Sequence, residues 1–273
     1  MDVPALFKML FGDKPFFEGA TLGFQGDVRR HIFMASAIAT GVDSDRPLRL
    51  LEIGSWVGCS ALTFAQAMGA FSPKGGSILC VDSWQPYLSS SDRERTGYYT
   101  TMAAITETDL AFELFRHNTR HTPPGVTIAA IRGAASDILP TLEPESFDVI
   151  YIDGSHYYDE CLADLRNSDR LLADGGILCG DDLERQLGDF DQAEALANRR
   201  VDFMGEPGYH PGVSLAVGEF FGRRISNYIG FWVVRKSGGT YEDVSLNGVP
   251  TLIPAHFNHE KMEECRVFVR QPD

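Results

Sequence analysis

The sequence predicts an α/β fold built on a doubly wound, mostly parallel sheet. Three observations carry that expectation. Short apolar runs recur along the chain, and most are continuously apolar rather than alternating, as strands covered on both faces must be. Segments with helical spacing separate them, which implies right-handed crossovers. Glycines and carboxylates collect where the runs end, the edge at which open α/β sheets bind ligands.

The segment 27–41 reads as a helix packed ahead of the first strand, "LRLLEIG" (48–54). A helix near 60–70 leads to the second strand, "SILCVDS" (77–83). Residues 85–107 then interrupt the repeating unit before a helix near 108–120. "VTIAAIRG" (126–133) and "FDVIYIDG" (147–154) are the third and fourth strands. In the next helix, 156–173, Tyr158, Cys161, Leu162, Leu165 and Leu172 follow the spacing of one buried face, broken between Asn167 and Asp169. Gly175-Gly176 stops it ahead of the fifth strand, "GILCGD" (176–181). Residues 183–210 interrupt the unit again, before a helix near 211–222 and a late strand, "YIGFWVVRK" (228–236). Both interruptions follow strand carboxyl ends, so they read as lids or substrate walls. The expected domain spans 1–239, with lid-like insertions at 85–107 and 183–210. Residues 240–273 are expected as a C-terminal extension packed on it, with strand-like and helix-like pieces that the pattern does not place.

A chain of 273 residues, 44% hydrophobic, fits one large domain with additions. Its 24 Lys+Arg against 38 Asp+Glu give a net charge of −14. That field disfavours nucleic acid and anionic membranes as partners and suits a cation or a ligand with a cationic centre, although solubility alone would also account for it. The five cysteines, Cys59, Cys80, Cys161, Cys179 and Cys265, are odd in number and form no C-x-x-C. They read as reduced, buried thiols of a cytoplasmic protein. The N-terminus has no signal-peptide pattern, and no apolar run approaches the roughly 18 residues of a membrane span.

The turn after the first strand, "LLEIGSWVGCSAL", sets Glu52, Gly54 and Gly58 where a helix start offers free N–H groups and glycine permits close approach. A tight strand–helix turn would use the same glycines. A dinucleotide fingerprint requires G-x-G-x-x-G, but Trp56 occupies the second glycine's place and Cys59 the third's. That argues against an NAD-linked enzyme. Asp82, at the tip of "CVDSW", suits both hydroxyls of a ribose, or alternatively a helix cap. Asp153, His156, Asp181 and Asp182 fall on adjacent strand ends. Three unpaired carboxylates would repel one another there, so they call for a cation, and hard oxygen donors suit Mg²⁺. Helix capping is the alternative for each acid alone. His156, with an ordinary pKa of roughly 6.5, is placed to take a proton from a hydroxyl acidified by such an ion.

The spacing E-x-G-x-x-x-G resembles motif I of class I S-adenosylmethionine-dependent methyltransferases. The stretch 131–183 is similar to metal-dependent O-methyltransferases, above all the branch of macrocin O-methyltransferase and related antibiotic-sugar methyltransferases; catechol O-methyltransferase is a more distant cousin. The most specific feature is "IDGSH" followed by "DD" at a separation of 28, that is 181 − 153. The resemblance covers roughly 25–182 and the helix and strand after 208. It implies a Rossmann-like class I methyltransferase fold with S-adenosyl-L-methionine as cofactor. Mg²⁺, or another divalent cation, would sit on Asp153, Asp181 and Asp182. His156 would be the base, and Asp153 would share in catalysis. The cofactor contacts implied are Glu52, Gly54, Ser55, Gly58, Asp82, Ser83, Trp84, Ala134, Ala135 and Asp153.

Two departures stand out. Gly133-Ala134-Ala135 replaces the family's Gly-Asp-Ser at the adenine edge, where backbone groups or Ser136 would have to substitute. The tryptophan usual in the following helix is absent near Ser168-Asp169. The function expected is O-methylation of a small hydroxylated molecule, a sugar or vicinal diol of a natural product. Tyr87, Tyr98, Tyr99, Tyr209 and His210 in the insertions are candidate substrate contacts. A metal-independent small-molecule methyltransferase and a non-catalytic protein that kept the fold are the alternatives. The unplaced terminal segments leave room for a homo-oligomer.

Overall fold

A computed structural model describes residues 12–17, 26–41, 45–93 and 97–270. Helix α1 (Arg30–Gly41) precedes β1 (Leu48–Ile53), followed by α2 (Cys59–Phe71) and β2 (Gly76–Asp82). The first insertion carries α3 (Ser90–Arg93) and α4 (Gly97–Thr106). Next come α5 (Leu110–Thr119), β3 (Val126–Arg132), α6 (Ala135–Ile138) and β4 (Phe147–Ile152). Helix α7 (Tyr158–Leu171) runs straight into β5 (Leu172–Gly180). The second insertion carries α8 (Gln192–Ala197) and is followed by α9 (Pro211–Phe221). Strands β6 (Asn227–Tyr228), β7 (Phe231–Ser237) and β8 (Thr240–Asp243) and helix α10 (His259–Arg270) complete the described chain.

The sheet order is β3-β2-β1-β4-β5-β7-β6, with β8 paired to β7. Strands β3, β2, β1, β4 and β5 are parallel, whereas β7 joins β5 antiparallel. The order reverses between β1 and β4, which makes their carboxyl ends the switch point where such folds open a crevice. The two faces explain the continuous apolar runs. Leu50 packs with Met34, Phe64 and Tyr151 on the α1–α2 face, while its neighbour Leu51 packs with Ile150, Leu165 and Trp232 on the other. One strand differs from the sequence reading: β5 starts at Leu172, ahead of Gly175-Gly176, because Leu172 pairs with Phe147 before a register shift.

The tail is tied to the same layers. Strand β8 extends the sheet beside β7, Phe257 and Cys265 enter a core cluster with Ile32 and Leu62, and the His256 ring bridges Cys59 Sγ (3.2 Å) and Gln66 Nε2 (3.1 Å). All five cysteines are buried and free of disulfides. No helix among the described residues is long and apolar enough to cross a membrane.

Candidate active site

The carboxyl ends of β1, β2, β4 and β5 open into one cavity of about 1030 Å³. Its floor exists because two backbones nearly touch. Gly54, at φ +82°, follows β1, and a Cβ there would stand 2.0 Å from the Asp153 carbonyl oxygen past the end of β4. Only glycine permits that crossing. Gly54, Asp82, Ser83, Trp84, Ala134, Ala135, Asp153, His156, Asp181 and Asp182 all line the cavity.

Three expected cofactor contacts lie elsewhere. Glu52 is fully buried beneath the turn, accepts from Cys80 Sγ at 3.2 Å, and carries its other oxygen sealed without a partner. Burial pushes its pKa up. Ser55 is also buried, and Gly58 caps α2 against Phe115. Asp82 is more occupied than expected. Its Oδ2 accepts from the backbone N–H groups of Ser55 and Trp56, each at 2.9 Å, and its Oδ1 from Trp84 at 2.7 Å. It therefore shapes the loop that it also borders, with three of its roughly four lone-pair sites already engaged. Trp84 is almost wholly buried on Phe112 and Phe115, with its indole N–H donating to Trp56 O, so it forms wall more than contact surface.

At the β4–β5 end the acids are not left to repel one another. Arg30, from α1, reaches across the edge. Its Nη1 meets Asp181 Oδ1 at 2.7 Å and Asp182 Oδ1 at 2.9 Å, its Nη2 meets Glu184 Oε1 at 2.8 Å, and its Nε donates to Ile229 O at 2.8 Å. Gly230 makes room: a Cβ there would lie 2.3 Å from the guanidinium. The sequence reading expected 27–41 only to pack; the structure makes Arg30 a cation of the site. It lies 151 residues from Asp181, and no local signal links the two.

His156 bridges two carboxylates, with Nε2 3.0 Å from Asp182 Oδ2 and Nδ1 3.0 Å from Asp202 Oδ1. Burial opposes the imidazolium, but Asp202 and Asp182 outweigh it and hold the pKa well above its ordinary value. Both nitrogens are thus engaged by carboxylates, an arrangement in which a bound cation would take the place of the proton between Nε2 and Asp182. His210, the last residue of the second insertion, stacks edge-on to His156 at 4.4 Å between centroids and pairs through Nδ1 with Glu184 Oε2 at 3.2 Å. Burial would raise the Asp182 carboxyl, yet His210, His156 and Arg30 hold it well below the carboxylate range. Asp182 also carries a left-handed φ of +61°, a cost that a non-glycine residue accepts where surrounding contacts fix it. Burial pushes Asp181 up to about 6, and it pushes Asp153, which sees the charges of Asp181 and Asp182, well above the ordinary range.

The set of side chains fit for an ion differs from the expected three acids. Among the described residues, His156, Asp182 and His210 are the group whose ligand atoms lie within 4.8 Å of one another; Asp153 and Asp181 are outside it. Asp181 is drawn to Arg30, and Asp153 accepts from Tyr151 OH at 3.2 Å. Asp202 and Glu184 sit behind the two imidazoles as orienting carboxylates, the arrangement usual for metal-bound histidines. Asp202, fully buried, also accepts from Tyr99 OH, so the two insertions meet over His156. Of the candidate substrate contacts, Tyr87, Tyr99 and His210 line the cavity. Tyr209 packs instead on Phe190 and under Arg185, and the Tyr98 side chain lies outside the described residues.

Helix α7 adds a carboxylate that the sequence reading did not single out. Asp164 lines the cavity at 5% exposure and makes no hydrogen bond or ion pair among the described residues. Burial, with Glu160 adding to it, pushes its pKa up to about 7.

Residues 51–183 match a family model described as a methyltransferase domain. An O-methyltransferase of Aspergillus hancockii, hkm8, is 32% identical over 139 residues, covering 51% of this chain and 44% of the relative. An uncharacterized protein of Sinorhizobium fredii, y4gI, is 27% identical over 123 residues, covering 45% of this chain and 12% of the relative. The chain thus spans less than half the length of the curated relatives it matches. Among solved structures, the O-methyltransferase NovP superposes with a TM-score of 0.51 at 16% identity, over 77% of this chain and 80% of that one. The stretch from 51 to 183 therefore resembles a methyltransferase domain, and the fold is one it shares with NovP.

Proposed function

We propose that this protein transfers a methyl group from S-adenosylmethionine to a hydroxyl of a small molecule, a sugar or vicinal diol of a natural product, with a divalent cation at the acidic edge. The observation that carries the reading is one cavity bordered both by the Gly54–Asp82 turn and by the His156–Asp182–His210 group. The donor set fits both guests. A cationic sulfonium suits a cavity rich in carboxylates, and two imidazoles plus one carboxylate suit a divalent ion. S-adenosylmethionine, when bound, supplies an electrophilic methyl group. The ion, when bound, supplies acidity to a neighbouring hydroxyl.

The residues of this chain divide the remaining work. Asp82 accepts one ribose hydroxyl, and Gly54 keeps the floor open beneath it. His156, Asp182 and His210 hold the ion, with Asp202 and Glu184 fixing the rings. Asp153 lines the cavity and is bonded only to Tyr151 among the described residues; it accepts the proton of the acceptor hydroxyl. Tyr87, Tyr99 and Phe203 narrow the mouth and limit water. Arg30 favours a second reading. It already neutralises part of the edge, so methyl transfer without an ion is the rival.

One experiment tests both. The protein is incubated with S-adenosylmethionine and a panel of vicinal diols and sugars, and S-adenosylhomocysteine is quantified with and without prior EDTA dialysis. The expected result is acceptor-dependent product that is lost on dialysis and restored by a divalent salt. Undiminished turnover after dialysis favours the metal-free reading. No turnover with any hydroxylated acceptor, despite cofactor binding, sinks the acceptor class.

A further inference from the structure

Asp164 is a buried carboxylate for which the reaction above finds no use. It stands on α7, whose neighbouring residues Cys161, Leu162 and Leu165 belong to the core, so a charge there has to be explained. It is not a core accident. Asp164 borders the cavity, and its Oδ2 lies 3.4 Å from the position a Cβ on Gly154 would take, against the backbone that crosses Gly54. The cavity lining includes the small residues Ala134, Ala135, Gly154 and Ala163, together with Glu160, whose charge acts on Asp164. A buried acid among small residues, with no partner of its own, leaves both a hydrogen-bond acceptor and a space unfilled.

Topology says which part of a ligand reaches this wall. The ribose position is Asp82, at the tip of β2. The reacting end must extend toward Gly54 and Asp153, at the tips of β1 and β4. The base is then directed the other way, toward β3, whose end turns into Ala134, Ala135 and α6. Helix α6 packs on α7, which brings Asp164 to the same wall. The β3 end itself offers the alanine side chains of Ala134 and Ala135, with no carboxylate, and leaves Ser136 and backbone groups as its acceptors.

We infer that Asp164 accepts a hydrogen bond from the exocyclic amino group of the adenine in the bound adenosyl ligand, supplying from α7 the acceptor that Ala134 and Ala135 lack. The inference rests on the proposed cofactor reading and makes Asp164 a determinant of adenine over other purines.

Calorimetric titration tests it without turnover. S-adenosylhomocysteine and S-inosylhomocysteine, which carries a carbonyl in place of the amino group, are titrated into the parent protein and into Asp164→Ala and Asp164→Asn. The adenosyl ligand should bind the alanine variant about tenfold or more weakly, as expected for a lost bond to a charged acceptor. Asp164→Asn, which keeps an acceptor oxygen, should retain most of the affinity. The inosyl ligand should bind parent and alanine variant alike. Equal losses for both ligands would mean that Asp164 acts through the fold, and an unchanged adenosyl affinity would remove it from the site; either result overturns the inference. Should the parent bind neither ligand, the cofactor reading fails first and the inference with it. Thermal unfolding of each variant confirms that it is folded before titration.

Discussion

Arg30 spreads one guanidinium over Asp181, Asp182, Glu184 and the Ile229 carbonyl while itself only 9% exposed. Burying a charge is tolerable because each of the three nitrogens has an acceptor, and the same matching makes the cation hard to remove. Arg30→Leu strands three carboxylates around an apolar side chain, and removing one partner from a buried ionic cluster costs about 3–5 kcal/mol. Urea unfolding at pH 7 should show that loss, whereas Arg116→Ala, an exposed i,i+3 pair with Glu113, should change stability by under about 1 kcal/mol. A loss at Arg30 as small as the surface control would mean that the edge is neutralised in some other way. Arg30 also marks the limit of what the sequence tells at this scale. Asp153, Asp181, Asp182 and His156 were legible because each stands just past an apolar run, where the fold puts ligand-facing groups. Arg30 was not, since nothing in "VRRHIF" says which of two arginines turns inward. Asp164 was hidden by its helix, where an acid beside Leu165 reads as the solvent side.

Secondary structure was legible where one physical rule dominated. Five parallel strands announced themselves as apolar runs, the central ones because they are covered on two faces, while β3 at the sheet edge stays largely exposed; the helices between them kept close to the boundaries their periodicity suggests. Direction was not legible: the pattern of "YIGFWVVRK" is the same whether that strand runs with β5 or, as it does, against it. Nor were contacts between insertions, since the Tyr99–Asp202 bond joins segments 103 residues apart. One link between elements makes a sharp prediction. Asp148, in β4, is clamped by Arg46 (2.6 and 2.7 Å) and by the backbone and side chain of Arg49 in β1. Burial would raise its pKa, but these arginines lower it from 3.8 to about 2. A carboxyl depressed in the folded state adds stability that is complete above its unfolded pKa and fades as pH falls through the folded one. The window is therefore pH 4 down to 2. Both arginines are partly exposed, so after allowance for solvent screening the clamp is worth about 1–2 kcal/mol at pH 7. Asp148→Asn should lose that amount by urea unfolding at pH 7 and show no difference from the parent near pH 2. A difference that persists undiminished in acid would assign the effect to packing.

At the scale of the whole molecule the charge of −14 raises a problem for any metal experiment, because a strongly acidic surface collects cations without a site. The arrangement of His156, Asp182 and His210 separates the two effects. Diffuse binding depends on net charge, falls steeply with salt, and treats divalent ions alike. A site of two imidazoles and one carboxylate prefers Mn²⁺, Co²⁺ or Zn²⁺ to Mg²⁺, whose affinity leans to oxygen donors. Binding to the folded state alone raises stability by about 2.7 kcal/mol at one hundred times the dissociation constant. At the roughly 2–4 °C per kcal/mol typical of large domains, that is a rise in melting temperature of about 5–10 °C. The expectation is a rise of that size for EDTA-dialysed protein on adding Mn²⁺ or Co²⁺ in 0.3 M NaCl, a smaller one with Mg²⁺, and none for His210→Ala. If Mg²⁺ matches Mn²⁺, and His210→Ala responds like the parent while Asp153→Asn does not, the ion sits on the acids at the strand tips, as the sequence pattern first suggested. If salt erases every rise, the acidic surface alone was binding the metal, and Arg30 neutralises the edge without an ion.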